Sequence, residues 1–428
     1  MNLMNRLLSI PRNLKVVYSA ALLRSLGVGM TGVFLAVYLA RAGFSATWIG
    51  AIVAAGLAGS AALMAGVSFY AERLGRRKSL AIMGGMTVLG GAGFALTTNT
   101  VGLVGFAFLG MVNGMGTDRG PLFALEQALL PEMVSEERRT MVLSWHSLVL
   151  DSGHAVGALA AGLPALVSRL LGLDLLASYR LAFGLYSLAN LAACLVYFLL
   201  SFESAEGTLP GRATAISDKS RAAVYKLAAL SSIDSLGGGL LVDSLIAYWF
   251  FRRFGISESG LGLIFFTGHL LNSISYLVAV VLARRIGLVN TMVFTHIPSS
   301  LFLMAVPLSP SAPLALALFF AREALVEMDV PTRQSYILAV VKPGERTFAS
   351  GVTNLTRNLS RAATPTLAGF LMQHLALATP LYLGGGIKIL YDLLLFAAFR
   401  HLKPPEEKEV STGGWEVERP SGRGSGVS

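Results

Sequence analysis

Charge is scarce in this 428-residue chain: Asp, Glu, Lys and Arg make up 14% of it, against 54% hydrophobic residues. A soluble domain carries about a quarter charged residues, so a water-soluble fold is excluded. Cysteine is almost absent. Cys194 stands alone, which rules out an internal disulfide and leaves the compartment unread. No Gly-x-x-x-x-Gly-Lys-Ser/Thr phosphate cradle occurs, so ATP is not the expected fuel. Cys and His do not cluster at metal-ligand spacings, and no cofactor or metal is expected. The N-terminal stretch Met1 to Lys15 is basic, but no short apolar core with a small-residue cleavage site follows it. The first apolar run is therefore expected to be retained.

What the chain has instead is long apolar runs. Run length and the Gly, Pro and charge breaks predict twelve membrane-crossing helices, at about 16–40, 46–70, 79–97, 101–130, 140–168, 177–201, 222–250, 258–283, 288–308, 312–341, 347–375 and 378–400. The polar stretch 202–221 divides a six-helix half, 16–201, from a second, 222–401. Residues 402–428, with Pro404, Pro405 and a Gly/Ser-rich end, are expected to form a disordered tail. Loops on the side of the N-terminus carry 22 Lys and Arg, and those on the other side 5. That bias predicts cytoplasmic termini in a plasma or inner membrane. The net charge of +10 then reports topology and not nucleic-acid binding.

The halves repeat. Arg24-Ser-Leu-Gly27 matches Asp234-Ser-Leu-Gly237, Gly43 and Gly50 match Gly255 and Gly262, and Glu137-Arg138-Arg139-Thr140 parallels Glu345-Arg346-Thr347. Between the second and third runs lies Ser68-Phe-Tyr-Ala-Glu72-Arg73-Leu-Gly75-Arg76-Arg77-Lys78. This loop resembles the Gly-x-x-x-Asp-Arg-x-Gly-Arg-Arg signature of the major facilitator superfamily, with Glu72 for the Asp and Ser68 for the first Gly. Arg284-Arg285-Ile286-Gly287 stands where a degenerate second copy belongs. The resemblance implies an all-α integral membrane fold of twelve helices in two pseudo-symmetric halves. It also implies a cytoplasmic gate built from Glu72, Arg73, Gly75, Arg76, Arg77, Arg284 and Arg285, with Glu126 or Glu132 as partner for Arg76.

Sixteen ionisable residues fall inside the expected spans. Each costs roughly 2.5–3.5 kcal/mol at a helix centre unless it pairs or meets water, so a hydrated cavity inside the bundle is expected. Spans 1, 4, 7 and 10 hold most of them: Arg24; Asp118, Arg119 and Glu126; Asp234 and Asp243; Arg322, Glu323, Glu327, Asp329 and Arg333. In the superfamily these four helices line the cavity. Asp151 and His154 share a helical stripe with Ser147 on span 5, and Asn354, Asn358 and Arg361 make its counterpart on span 11, with Arg357 one turn before Arg361. Glu323 and Glu327 stand four apart, a spacing at which double ionisation is disfavoured and a held proton is favoured. Lys388 and Asp392, also four apart, are read as a structural pair. Arg24 and Asp234 occupy repeat-equivalent positions. They are expected either to face one cavity or to find separate partners, such as Asp118 or Glu323.

A Ser147/His154/Asp151 set on a helix stripe lacks a nucleophile elbow, which argues against a hydrolase. The expected activity is secondary transport of a small molecule, coupled to protons, by a monomer whose other partner is the lipid bilayer. Efflux of amphipathic compounds is placed first. Gly153-x-x-x-Gly157-Ala158-x-x-Ala161-Gly162 is similar to the antiporter motif on span 5, although small-residue packing explains it as well. Gly110 to Gly114 lacks the arginine that antiporters carry on span 4. Proton-coupled uptake of an organic anion or phosphate is the alternative, since arginine forks recognise such groups. A non-transporting receptor or lipid-handling protein is the third reading. Aromatics and Met around one buried acid would favour efflux, and unpaired arginines at mid-depth would favour anions.

Overall fold

The computed structural model describes residues 11–117, 120–135, 138–201, 218–328 and 346–399. Asp118, Arg119, Asp329 and Arg333, most of the central linker and the C-terminal tail lie outside the described residues, as do the side chains of Glu72, Arg73 and Arg284. Among the described residues fifteen α-helices run in chain order: α1 Arg12–Arg41, α2 Ala46–Leu74, α3 Arg76–Leu96, α4 Thr100–Gly110, α5 Pro121–Leu129, α6 Arg139–Leu159, α7 Leu163–Leu171, α8 Leu175–Tyr197, α9 Asp218–Leu240, α10 Asp243–Phe254, α11 Glu258–Ile286, α12 Leu288–Ala305, α13 Ala312–Val326, α14 Arg346–His374 and α15 Thr379–Phe399. They fall within the expected spans, three of which are each met by two helices: α4 with α5, α6 with α7, and α9 with α10; of span 10 only the part up to Met328 is described.

Nine stretches among the described residues are long and apolar enough to cross a membrane unaided. The other three expected positions differ for visible reasons. Span 4 is split, α13 ends at Val326 beside undescribed residues, and α14 is a polar helix. Large apolar side chains such as Leu188, Leu277, Phe294 and Leu359 stand exposed around the outside, where lipid replaces water as their solvent.

The repeat is visible in the backbone. Gly75 (φ 82°) and Gly287 (φ 88°) make the same left-handed turn between the second and third helices of each half. Gly43 and Gly255 do so one connection earlier, and Ser45 and Ser257 then cap α2 and α11 through their side chains.

The apolar core is centred on α1. Phe34 and Tyr38 pack edge-on or tilted against Tyr179 and Phe183 of α8, with ring centroids 5.1–5.5 Å apart. Close helix approaches rest on small residues. A Cβ at Gly29 would overlap the His154 carbonyl, and one at Gly157 would overlap that of Leu26. Gly153 and Gly157 of the antiporter-like stretch on span 5 therefore pack α6 onto α1.

Spans 4 and 7 are broken, not continuous as expected. Met111, Gly114 and Gly116 all take positive φ, and Gly120-Pro121 starts α5. Span 7 breaks at Leu241 and Val242, and Asp243 opens α10. The two breaks meet across the halves, where the Ser244 amide donates to the Gly114 carbonyl at 3.0 Å. Each break thereby satisfies a backbone group of the other inside the membrane, where an orphan would cost several kcal/mol.

Candidate functional site

A cavity of about 450 Å³ lies between the halves and is lined by both. Its wall comes from α5 (Phe123, Ala124, Gln127), α9 and the start of α10 (Asp234, Gly238, Asp243), α11 from Phe265 to Tyr276, the end of α13 (Arg322 to Glu327) and α14 from Thr353 to Arg361. On α11 and α14 these are middle turns, and on α13 the last one. With Phe123 to Gln127 of α5 they make a cavity that reaches from mid-depth toward the end of the molecule that carries the N-terminus.

The opposite end is sealed. Arg41 Nε donates to Glu258 Oε1 at 2.7 Å, and the Tyr179 hydroxyl donates to the same oxygen at 2.7 Å. The Arg41 guanidinium also stands 5.0 Å above the Phe251 ring. Thr47 gives Gln373 Oε1 its backbone amide at 3.1 Å and its hydroxyl at 2.7 Å. Arg41, Tyr179 and Thr47 belong to the first half, and Glu258, Phe251 and Gln373 to the second. Below them the backbones of α2 and α14 touch, since a Cβ at Gly50 would strike the Pro365 carbonyl.

The cavity wall is charged and of both signs. Five carboxylates line it (Asp151, Asp234, Asp243, Glu323 and Glu327), with four bases, Arg322, Arg357, Arg361 and Lys388. Glu323 pairs with Arg322 and accepts from Asn272 Nδ2 at 2.9 Å. Glu327 accepts from the Tyr276 hydroxyl at 3.0 Å. Asp234 binds Lys388 Nζ at 2.9 Å and Arg357 Nη1 at 3.3 Å. Behind Lys388, His296 Nε2 lies at 3.4 Å, and its Nδ1 reaches Asp392 at 3.0 Å. Asn354, Asn358, Arg357 and Arg361 form one polar face of α14. Met64, Met115, Phe123 and Phe265 supply apolar wall between these groups.

The profile of the Major Facilitator Superfamily matches residues 17–233 and 227–420. The chain belongs to this superfamily. It is 25% identical over 433 residues to an uncharacterized membrane protein of Saccharomyces cerevisiae, covering 94% of this chain and 97% of that relative. The nucleoside transporter NupG shares its fold with a TM-score of 0.70 at 14% identity, over 91% of this chain and 100% of that one. So does the xylose transporter XylE from E. coli in its inward-open conformation, at 0.69 and 13%, over 93% and 98%. A bacterial homolog of the human lysosomal transporter Spinster, inward-facing, gives 0.69 and 14%, over 91% and 96%. At such identities the likeness is one of fold. As a superfamily member the chain is a multi-pass membrane transporter of small molecules rather than an enzyme.

Several expected site residues of this transporter fall elsewhere. Arg24 does not share a cavity with Asp234; it borders a smaller one, of about 60 Å³, that Asn358 and Arg361 of the second half also line. Arg24 is buried in the first half, where Nη1 and Nη2 reach Glu126 Oε1 and Oε2 at 2.9 and 2.7 Å. His146 Nε2 and the Tyr197 hydroxyl complete the Glu126 shell. Glu126 is thus no gate partner, and Arg76 binds Glu132 instead, through Nη2 to Oε1 at 2.7 Å. Arg77 donates to the Phe198 carbonyl at 2.6 Å, so the described part of this loop is tied to its own half. Arg285 is exposed. Lys388 and Asp392 do not pair with each other. Their shared face packs against α9 and α12, and the acid and imidazole there are better placed than the i,i+4 partner.

Asp151, His154, Arg322, Glu323, Glu327, Arg357 and Arg361 do come to the cavity or its edge. His269, Asn272 and Tyr276 also reach it and were not singled out in the sequence. Their spacing on α11 is a signal that was available: His269, Asn272, Ser273 and Tyr276 make a polar helical stripe in an apolar run.

Proposed function

We propose that this transporter moves a small polar solute bearing an anionic group, coupled to protons, by opening its central cavity to each side in turn. The observation that carries this reading is the two-signed wall. Arg357 and Arg361, flanked by Asn354 and Asn358, face a cavity whose other side holds Asp243, Glu323 and Glu327. Arginine forks orient carboxylate or phosphate, and carboxylates near them exchange protons. A wall with five acids and four bases is far from one buried acid among aromatics, which moves anion uptake ahead of efflux. Efflux of amphipathic compounds is the second reading, favoured by Met64, Met115, Phe123 and Phe265. The protein acts as a monomer, and its termini face the cytoplasm, as the 22-to-5 bias of Lys and Arg supports.

Purified protein in liposomes, with an imposed pH gradient and a panel of radiolabelled organic anions, phosphate and lipophilic cations, tests this. Uptake of an anion that depends on the gradient is expected. Arg361→Ala should lower it at least about tenfold, a loss of one charge-assisted contact. Gradient-driven flux of the lipophilic cations alone would replace the reading with efflux, and absence of any flux would point to a receptor. In sealed cells a cysteine at Ser217 should react with impermeant maleimide only after permeabilisation. Labelling of intact cells would reverse the orientation.

A further inference from the structure

The charges around the central cavity are sorted by sign. α9, α14 and α15 pack on one another, and their part of the wall holds Arg357, Arg361 and Lys388 against Asp234, with Asp392 behind Lys388. α11 and α13 pack together and make a second face, where Glu323 and Glu327 stand with Arg322. Asp243 at the start of α10 belongs to this face, since all three of those residues act on it. Asp151 of α6 joins it beside His269. With neutral imidazoles the first face has one positive charge in excess and the second has three negative ones. Protonation of both His154 and His269 leaves the second face anionic still. The four span residues outside the described ones, Asp118, Arg119, Asp329 and Arg333, carry charges that cancel.

The carboxylates of the acidic face differ in their partners. Glu323 holds Arg322 and Asn272, and Glu327 takes the Tyr276 hydroxyl. Asp243 and Asp151 each meet a histidine at 3.8 Å and, among the described residues, no lysine or arginine at ion-pair distance. They keep 22% and 28% of their side-chain surface exposed and both line the cavity. Asp243 packs on Gly116 of the first half, so closely that a Cβ there would collide with its carboxylate. The residue before Gly116 is Met115, whose sulfur lies 3.9 Å from Arg361 Nη1. Arg361 and Asp243, one from each face, thus approach two consecutive residues of the first half.

We infer that the solute of this transporter is a zwitterion, an amino acid or a close relative, whose anionic group meets Arg361 and Asn358 while its ammonium meets Asp243 across Met115 and Gly116. This deepens the reading of an anionic solute above and rests on it. A plain anion held at α14 would face the excess negative charge of the second face, in a cleft whose low-dielectric walls focus the field. An ammonium on the same molecule turns that repulsion into attraction and supplies Asp243 with a cation. A proton taken up in coupling removes one of the three excess negative charges and leaves the preference in place. A volume of about 450 Å³ stands toward the small end of ligand pockets, as a solute of this size requires.

Melting of the purified full-length protein at neutral pH tests this, because a bound solute raises the melting temperature in proportion to its affinity. The standard amino acids, γ-aminobutyrate, alanylalanine and phosphoethanolamine are each compared with their N-acetyl derivatives, which lack the ammonium and keep the anion. At least one zwitterion is expected to stabilise the protein at a concentration about tenfold below that needed by its N-acetyl derivative, as the loss of one charge-assisted contact implies. Asp243→Asn should erase that ratio, and Arg361→Ala should weaken both members of the pair. If Asp243→Asn does not fold, the comparison in the starting protein decides. N-acetyl derivatives that bind as tightly as their parents would overturn the inference and leave an anion transporter. A panel in which no zwitterion stabilises the protein would overturn it as well. Flux of lipophilic cations alone in the liposome assay would instead overturn the reading on which it rests.

Discussion

Arg24→Ala is expected to destabilise the protein by about 3–5 kcal/mol, the cost of leaving one member of a buried ion pair without its counter-charge. Glu126 is 0% exposed and Arg24 2%. Their two parallel contacts form the fork that makes arginine–carboxylate pairs strong. His146, which also binds Glu126, stacks between Tyr18 and Phe123 at 6.4 and 5.9 Å. Thermal unfolding of detergent-purified protein measures the effect. Arg24→Met with Glu126→Leu should recover most of the loss, since an apolar replacement of both partners removes the stranded charge. A single variant that melts within a degree or two of the starting protein would mean that water reaches this pair. The cluster would then belong to the transport path after all.

Glu258→Gln is the second large expectation. Its carboxylate ties Arg41 and Tyr179 of the first half to the second, and it is 4% exposed. Arg41 keeps a third of its side-chain surface in solvent, which screens part of the pair. A loss of about 1.5–3 kcal/mol, the range for hydrogen bonds to charged groups, corresponds to roughly a tenfold or greater shift toward an open seal. Ser273, which lines the cavity, reports it when replaced by Cys. Its alkylation by a reagent confined to the seal side should speed up by that factor. The effect on melting should be smaller than for Arg24→Ala, because the seal is meant to part during transport while the Arg24 cluster stays packed within one half. Unchanged alkylation would show that the Gly50–Pro365 contact and the Thr47–Gln373 bonds hold the seal without Glu258.

The two expectations contrast two uses of charge that look alike along the chain. Arg24 and Arg41 lie on the same helix, and both bind a glutamate at 2.7 Å. One glutamate comes from the same half and is locked in a buried cluster. The other comes across the plane of opening. The half that supplies the partner decides whether the pair carries stability or conformation.

The amino-acid sequence alone determined the membrane class, the positions of the helices, the two-half repeat and the presence of a charged interior. These follow from properties that accumulate along the chain. Hydropathy summed over about twenty residues marks a span, and Gly75 and Gly287 mark the tight turns because no side chain tolerates their backbone angles. Sixteen costly charges demand a polar interior whatever their partners are. The partners were decided only by the tertiary structure. Helical periodicity fixes which residues share a face within one helix, but not the rotation and depth of that face against its neighbours. Lys388 and Asp392 therefore looked paired and are not, Arg24 took Glu126 of its own half, and His269 was unremarked until α11 brought it to His154. The breaks at Met111 and Leu241 were hidden for the same reason. A membrane helix unwinds where another element can satisfy its backbone, and that element, the Gly114 carbonyl facing the Ser244 amide, lies 130 residues away in the other half.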